Sequence, residues 1–233
     1  MEVKKKVINC VHGVISPVLA NLFLHYTFDS FMTKEYPKAW WARYADDGIV
    51  HCKTYQQAVY MRTILSERFK IMGLELNQEK TRIVYCKDAD RMENHSVISF
   101  DFLGYTFRPR LAKNKHGKIF VSFLPGMSDK AVKRIKEEVN AWKLQLKVDK
   151  HINDLANMFN ANIQGWINYY GRFYKSELVQ VLRYINRCII KWVRRKFKKR
   201  KHRRIAEHWL GGVAQRDRNL FAHWKFGVLP SAG

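Results

Sequence analysis

The feature that most constrains this chain is a switch in the period of its apolar residues at Pro125-Gly126. Beyond that point they recur every three or four positions, the spacing of a helix face. Ser128 is placed to cap a helix carrying Val132, Ile135, Val139, Trp142 and Leu146. A second helix carries Ile152, Leu155, Phe159, Ile163, Trp166 and Tyr170 and ends at Gly171, and a third carries Leu178, Leu182, Ile185, Ile189 and Trp192. Before the switch the reading is mixed. Ser16 reads as an N-cap with Pro17 at the first helical position, followed by Leu19, Leu22, Phe23 and Tyr26 on one face. A further helix runs from Tyr55 to Met72, with Gly73 to end it. "WARYA" and "GIVHC" read as strands around an Asp47-Gly48 hairpin turn. "LELNQEKTRIVY" reads as a strand, a turn and a second strand, and residues 87–97 as a polar loop. "SFDFLGYTFRPR" and "KIFVSFL" read as a hairpin joined by "LAKNKHG". The fold class is α+β: an antiparallel sheet with helices, then an all-helical domain.

Charge narrows the partners. Lys plus Arg number 43 against 20 acids, a net charge of +23, in a chain whose 47% hydrophobic content is that of a globular protein. Such a surplus implies an anionic partner, nucleic acid before an acidic membrane surface. No apolar run approaches the length of a spanning helix, and "MEVKKKVINC" lacks the apolar core of a signal peptide. The expected location is therefore the cytoplasm, bacterial-type, or an organelle, and not outside the cell. Cys10, Cys52, Cys86 and Cys188 form no C-x-x-C pair and read as free thiols. The densest charge lies in "KWVRRKFKKRKHRR", residues 191–204, with ten cations and no acid. Trp192 and Phe197 interleave with it, which suits a helix with an apolar inner face and an RNA-binding outer one. Charge runs are more often merely solvated.

Asp46 and Asp47 stand side by side between β-rich runs in this basic chain. Acids are common in turns, where they cap local backbone groups. Against that reading, flanking strands would hold both carboxylates rigidly, and hard divalent ions take oxygen ligands while leaving positions for water and phosphate. Adjacent carboxylates at a hairpin tip suit a metal site for nucleotidyl transfer.

With its neighbours, "YADD" carries a resemblance. It looks like the metal-binding motif of reverse transcriptases. "GVISPVLANLFLHYTFD" is similar to the palm helix of group II intron-encoded reverse transcriptases, "GLELNQEKTRIV" to the next palm motif and "FDFLGYTFRPR" to the primer-grip hairpin. "IQGWINYYGRF" resembles the thumb, or maturase, domain and "NLFAHWKFG" that domain's C-terminal signature. The resemblance implies a partial palm over 13–125, a helical thumb/maturase domain over 126–228, an unmatched segment over 1–12 and a tail over 229–233. It implies that Asp46 and Asp47 are catalytic ligands of Mg²⁺. Tyr44 would lie beside the primer terminus or incoming nucleotide, Lys80 near the triphosphate, and Phe102, Leu103 and Gly104 in the primer grip. Arg172, Lys191, Arg194, Arg195, Lys198, Lys199, Lys201, Arg203 and Arg204 are the candidate RNA contacts. The implied partners are structured intron RNA, an RNA/DNA hybrid, and a complementing fingers/palm fragment or a second copy of the chain.

The departures matter equally. The family's polymerases use a further aspartate on a strand before the palm helix, and here the only acid before Gly13 is Glu2. Cys10, Val11, His12 and Gly13 replace the Pro-Gln-Gly-Gly run. The expectation is a truncated reverse transcriptase/maturase, an RNA-directed DNA polymerase by family that is inactive alone, with Mg²⁺ held weakly. The alternatives are a non-catalytic RNA-binding splicing factor and a non-functional remnant.

Overall fold

A computed structural model of the chain describes residues 3–4 and 15–230. Strand β1 (Val3–Lys4) comes first. Helix α1 (Ser16–Leu24) begins at Ser16 rather than being capped by it, since Ile15 occupies the cap position and Pro17 sits in the first turn. It passes through a π-turn, His25–Asp29, into α2 (Ser30–Glu35). The buried face is not the expected one. Leu24, Phe28 and Met32 are inside, whereas Leu19, Leu22, Phe23 and Tyr26 are exposed. A helix apolar on most sides can bury any of them. The side chosen is the one with partners: Phe28 meets Trp41 edge-on at 5.3 Å and Phe69 at 6.4 Å.

Strands β2 (Trp41–Tyr44) and β3 (Asp47–Val50) form an antiparallel hairpin. Tyr44 faces Asp47 and Trp41 faces Val50, so the loop is Ala45-Asp46 and not Asp47-Gly48. The reason is tertiary. This register places Trp41 and Val50 together against the Phe28 cluster, whereas a turn at Asp47-Gly48 would slide Trp41 opposite Thr54. Helix α3 (Tyr55–Ile71) starts where the Thr54 hydroxyl accepts the Gln57 N–H at 3.1 Å. It buries Met61, Leu65 and Phe69, and Gly73 leaves it at φ +72. Strand β4 (Glu75–Leu76) pairs antiparallel with β1. The second strand expected in "TRIVY" is absent: residues 81–85 join no sheet among the described residues.

Strands β5 (Phe100–Phe102), β6 (Tyr105–Lys113) and β7 (Ile119–Met127) form an antiparallel sheet in that order. "FDFLGYTF" is thus not one strand. Leu103 and Gly104 make a two-residue hairpin loop, both at positive φ (+50 and +77), the requirement of a type I′ turn. Helix α4 (Asp129–Ala141) follows, its Ala131 N–H capped by Ser128 Oγ at 3.2 Å. Then come α5 (Ile152–Tyr170), α6 (Lys175–Lys196), α7 (Arg203–Arg216) and α8 (Ala222–Lys225). The three helical faces read from the sequence form one core, with Ile135, Val139, Leu155, Ile163, Leu182, Ile185, Ile189 and Trp192 all buried. Leu146 is the exception: it lies in a single 3₁₀ turn and is exposed.

The chain divides into two compact units, Met1–Tyr85 and Cys86–Gly233. The β5–β7 sheet therefore groups with the helices, and the period switch at Pro125-Gly126 is not the division. Three contacts account for this. Arg110 of β6 donates to Glu177 of α6 at 2.5 Å, the Ser128 N–H donates to the Gly104 carbonyl at 3.0 Å, and the Tyr105 hydroxyl donates to the Tyr169 carbonyl. The centre of the "NLFAHWKFG" segment, Phe221, Ala222, His223 and Trp224, is buried. His223 Nε2 and Trp224 Nε1 both donate to Asn186 Oδ1, at 2.7 and 2.9 Å, and Asn186 Nδ2 donates to the Val228 carbonyl at 3.1 Å. Cys52 and Cys86 are half-buried, Cys188 is buried, all three are free, and Cys10 lies outside the described residues.

Candidate functional site

The acidic hairpin is held from beneath by one arginine. Arg43 donates to both carboxylate oxygens of Asp29, at 2.7 and 2.6 Å, to Asn21 Oδ1 at 3.0 Å and to the Ala45 carbonyl at 2.7 Å. The last bond fixes a loop whose first residue, Ala45, sits at φ +52, a conformation unfavourable for a residue with a Cβ. Burial alone would raise the Asp29 carboxyl. The Arg43 hydrogen bonds and charge, with a smaller share from His25, outweigh it and hold Asp29 below its usual range. Asp29 is therefore an ionised carboxylate already committed to Arg43.

Asp46 occupies the loop tip, half-buried, and Asp47 opens β3, exposed, opposite Tyr44. Tyr44 is 65% exposed, so its ring is not core packing of the strand. Among the described residues no group of three or more His, Cys, Asp or Glu gathers as a metal cage. The donor set at the hairpin is still right for a hard cation, since Mg²⁺ is commonly bound through one or two carboxylates and completed by water and phosphate. Lys80 is exposed in the turn after β4. That turn is organised by Asn77, whose carbonyl accepts the Lys80 and Thr81 N–H groups at 3.2 and 2.8 Å.

In the second unit, the Phe102-Leu103-Gly104 turn rests on α5. The Tyr169 hydroxyl donates to the Leu103 carbonyl at 2.8 Å. A Cβ on Gly104 would stand 2.8 Å from the Tyr170 hydroxyl, so only glycine fits at this approach. Burial raises the Tyr170 phenol above its usual value, with the Arg134 charge opposing. Trp166 and Tyr170 serve packing, as their spacing suggested. Trp166 stacks on Trp142 at 5.6 Å, while Tyr169 and Phe173 remain exposed.

Residues 191–204 are not one helix. α6 ends at Lys196, Phe197 turns extended, Lys198–Arg200 form a 3₁₀ turn, and α7 starts at Arg203. The break is held by packing. Phe197 meets Trp209 at 5.4 Å, and the Arg200 guanidinium stacks on both rings at 4.4 and 4.8 Å. The ten cations therefore divide by role. Lys196 Nζ donates to the Val148 and Lys150 carbonyls at 2.9 and 2.6 Å, Arg194 donates to the Lys201 carbonyl at 2.8 Å, and Arg203 pairs with Glu207 at 2.7 Å. Lys191, Arg195, Lys198, Lys199, Lys201 and Arg204 are exposed, and no acid pairs with their side chains among the described residues. Arg172 is exposed, its guanidinium 5.8 Å from the Phe173 ring.

Sequence reasoning missed Arg183 and Arg187. Both are exposed on α6 and fall eight and four residues before Lys191, extending its charge along one face. Their i, i+4 spacing within the helix carries the signal, set against the much denser run that follows it.

Comparison with known families gives two matches. Residues 13–107 match the model for reverse transcriptase (RNA-dependent DNA polymerase), and residues 132–209 match that for the group II intron maturase-specific domain. No curated protein matches the chain. No helix among the described residues is long and apolar enough to cross a membrane.

Proposed function

The chain belongs to the group II intron reverse transcriptase/maturase family, and from that membership we propose that it binds structured intron RNA through the outer face of α6 and the turn into α7. Binding of intron RNA is a property of both matched families. The observation that carries the assignment to this surface is the division of the basic segment. Its apolar residues and four of its cations, Arg194, Lys196, Arg200 and Arg203, hold the fold, and six cations remain outside with no acid paired to them among the described residues. Phosphates would meet that charge, while selectivity for an intron would come from shape and unpaired bases.

The experiment is salt-dependent binding of the whole chain to a structured intron RNA. Each neutralised phosphate releases counterions, so four to eight contacts give a log–log slope on the order of −3 to −6. Replacing Lys191, Arg195 and Lys198 together with Ala should flatten the slope by about 2 and weaken all RNAs alike. Arg194 is left in place because it supports the backbone at Lys201. Salt-insensitive binding, or a triple variant equal to the parent, refutes the assignment.

A second reading, a palm metal site for DNA synthesis left incomplete by the two carboxylates of the described residues, is favoured by the hairpin alone. The family depends on a divalent metal, and Asp46 and Asp47 would hold Mg²⁺ as its protein ligands. Such an ion supplies charge neutralisation to the phosphoryl oxygens. In the first unit Tyr44 would support the nucleotide or primer end and Lys80 would offset triphosphate charge; in the second, taken by itself, the Phe102-Leu103-Gly104 turn would contact primer backbone. Asp29 is not available as a further ligand without surrendering Arg43.

A further inference from the structure

A cleft of about 260 Å³ opens between the first half of α6 and the chain at Phe226–Leu229. It lies on the opposite half of α6 from the basic segment, and one wall, Phe226 and Gly227, is the end of the "NLFAHWKFG" segment. Val179 and Leu229 are half-buried and Val228 is buried, so the floor is apolar. Phe226 presents a half-buried ring, with Lys175 Nζ 5.6 Å from its centre. Lys175 and Arg183 are exposed at the rim, and no acid lines the cleft.

Position on the helix gives this arrangement a direction. Lys175, Val179 and Arg183 follow at i, i+4 and i+8, so the two cations stand about 12 Å apart along the axis with the apolar floor between them. From Arg183 the same face continues through Arg187 to Lys191, the start of the surface assigned above to phosphate. An apolar, aromatic-walled recess flanked by cations matches a nucleotide, which couples a flat base to an anionic backbone. An A-form duplex keeps its base faces stacked and cannot fill such a recess; an unpaired base can.

We infer that this cleft holds one unpaired nucleotide of the bound RNA, its base against Phe226, Val179 and Leu229 and its flanking phosphates at Lys175 and Arg183. The inference rests on the RNA-binding reading and adds the subsite to it. The cleft reads single-strandedness, and the Arg187–Lys191 face leads the backbone away.

The test uses the whole chain with two probes: an oligouridylate of about twelve residues carrying 4-thiouridine, and a blunt RNA duplex of about 20 base pairs. Ultraviolet crosslinks from the oligouridylate should map to the peptides containing Val179 or Phe226. Phe226→Leu and Val179→Asp should each weaken the oligouridylate about tenfold and leave the duplex within about twofold. The crosslink map needs no variant, so it stands even where a substitution impairs folding. Crosslinks elsewhere, or variants that leave oligouridylate binding unchanged or weaken both probes equally, overturn the cleft assignment while leaving RNA binding intact. Failure of the parent to bind either probe overturns the RNA-binding reading and the cleft with it.

Discussion

Gly126→Ala adds one methyl group, and the surroundings decide its sign. In a strand, alanine normally costs less chain entropy than glycine, so the change should stabilise by about 0.5–1 kcal/mol where there is room. At Gly126, a buried position opposite Thr106, there is none. The new Cβ would stand 2.4 Å from Arg110 Nη2 and 2.4 Å from Glu177 Oε2. Neither atom is the free end of a mobile side chain. The Arg110 side chain is 3% exposed, bonded to Glu177 at 2.5 Å and stacked on Tyr174 at 4.4 Å. Relief of the clash requires the ion pair to open inside the protein. Breaking a buried pair costs about 3–5 kcal/mol, because each charge is left without a partner. After subtracting the entropic gain, the net loss should be roughly 2–4 kcal/mol, or about 5–15 °C in the melting temperature of a unit this size. Tryptophan fluorescence during urea and thermal unfolding, followed in a Trp40→Phe/Trp41→Phe background, reports that unit, which contains Trp142, Trp166, Trp192, Trp209 and Trp224. The same methyl added to an Arg110→Ala/Glu177→Ala background meets no clash and should be neutral or stabilising. A Gly126→Ala chain as stable as the parent, or an equal penalty in both backgrounds, refutes the account of how the hairpin is fastened to α6.

Two further outcomes follow from other parts of the structure. Burial pushes the His223 imidazole down to about 3, and its Nδ1 is buried with no hydrogen-bond partner. The folded state therefore holds the neutral ring. Its contribution is complete above the unfolded value near 6.5 and is lost as pH falls toward 3, at most about 5 kcal/mol over that window. Urea unfolding between pH 7.5 and 4 should show this decline, and His223→Gln, which keeps a donor for Asn186, should flatten it; an unchanged slope counts against the buried neutral ring. At the hairpin, the 233-residue chain should not extend a primer on an RNA template with Mg²⁺. Among the described residues two carboxylates form the local donor set, and Asp29 is held by Arg43. Product that Asp46→Asn abolishes would show that a further ligand is recruited.

The helical half was legible because each of its helices buries one continuous stripe. Ile135, Ile163 and Ile189 are inside for the reason their spacing announced: a helix with a single apolar face has one way to bury it. Thr54, Ser128, Gly73 and Gly171 likewise act locally, through caps and helix ends that the neighbouring backbone defines. The carboxylate pair and the density of cations could also be read directly, since charge depends on composition rather than on packing. Where local rules allowed more than one solution, the tertiary structure chose. α1 is apolar on several sides, and only Phe69 and Trp41 determine that Phe28 faces inward while Leu22 does not. The hairpin turns at Ala45-Asp46, against the local preference for Asp47-Gly48, because Trp41 and Val50 must meet the same cluster and Arg43 can brace the strained alanine. The basic run breaks at Phe197 because that ring has Trp209 and Arg200 to pack against. Such contacts link residues distant in the chain, and their energies appear in no window of local sequence.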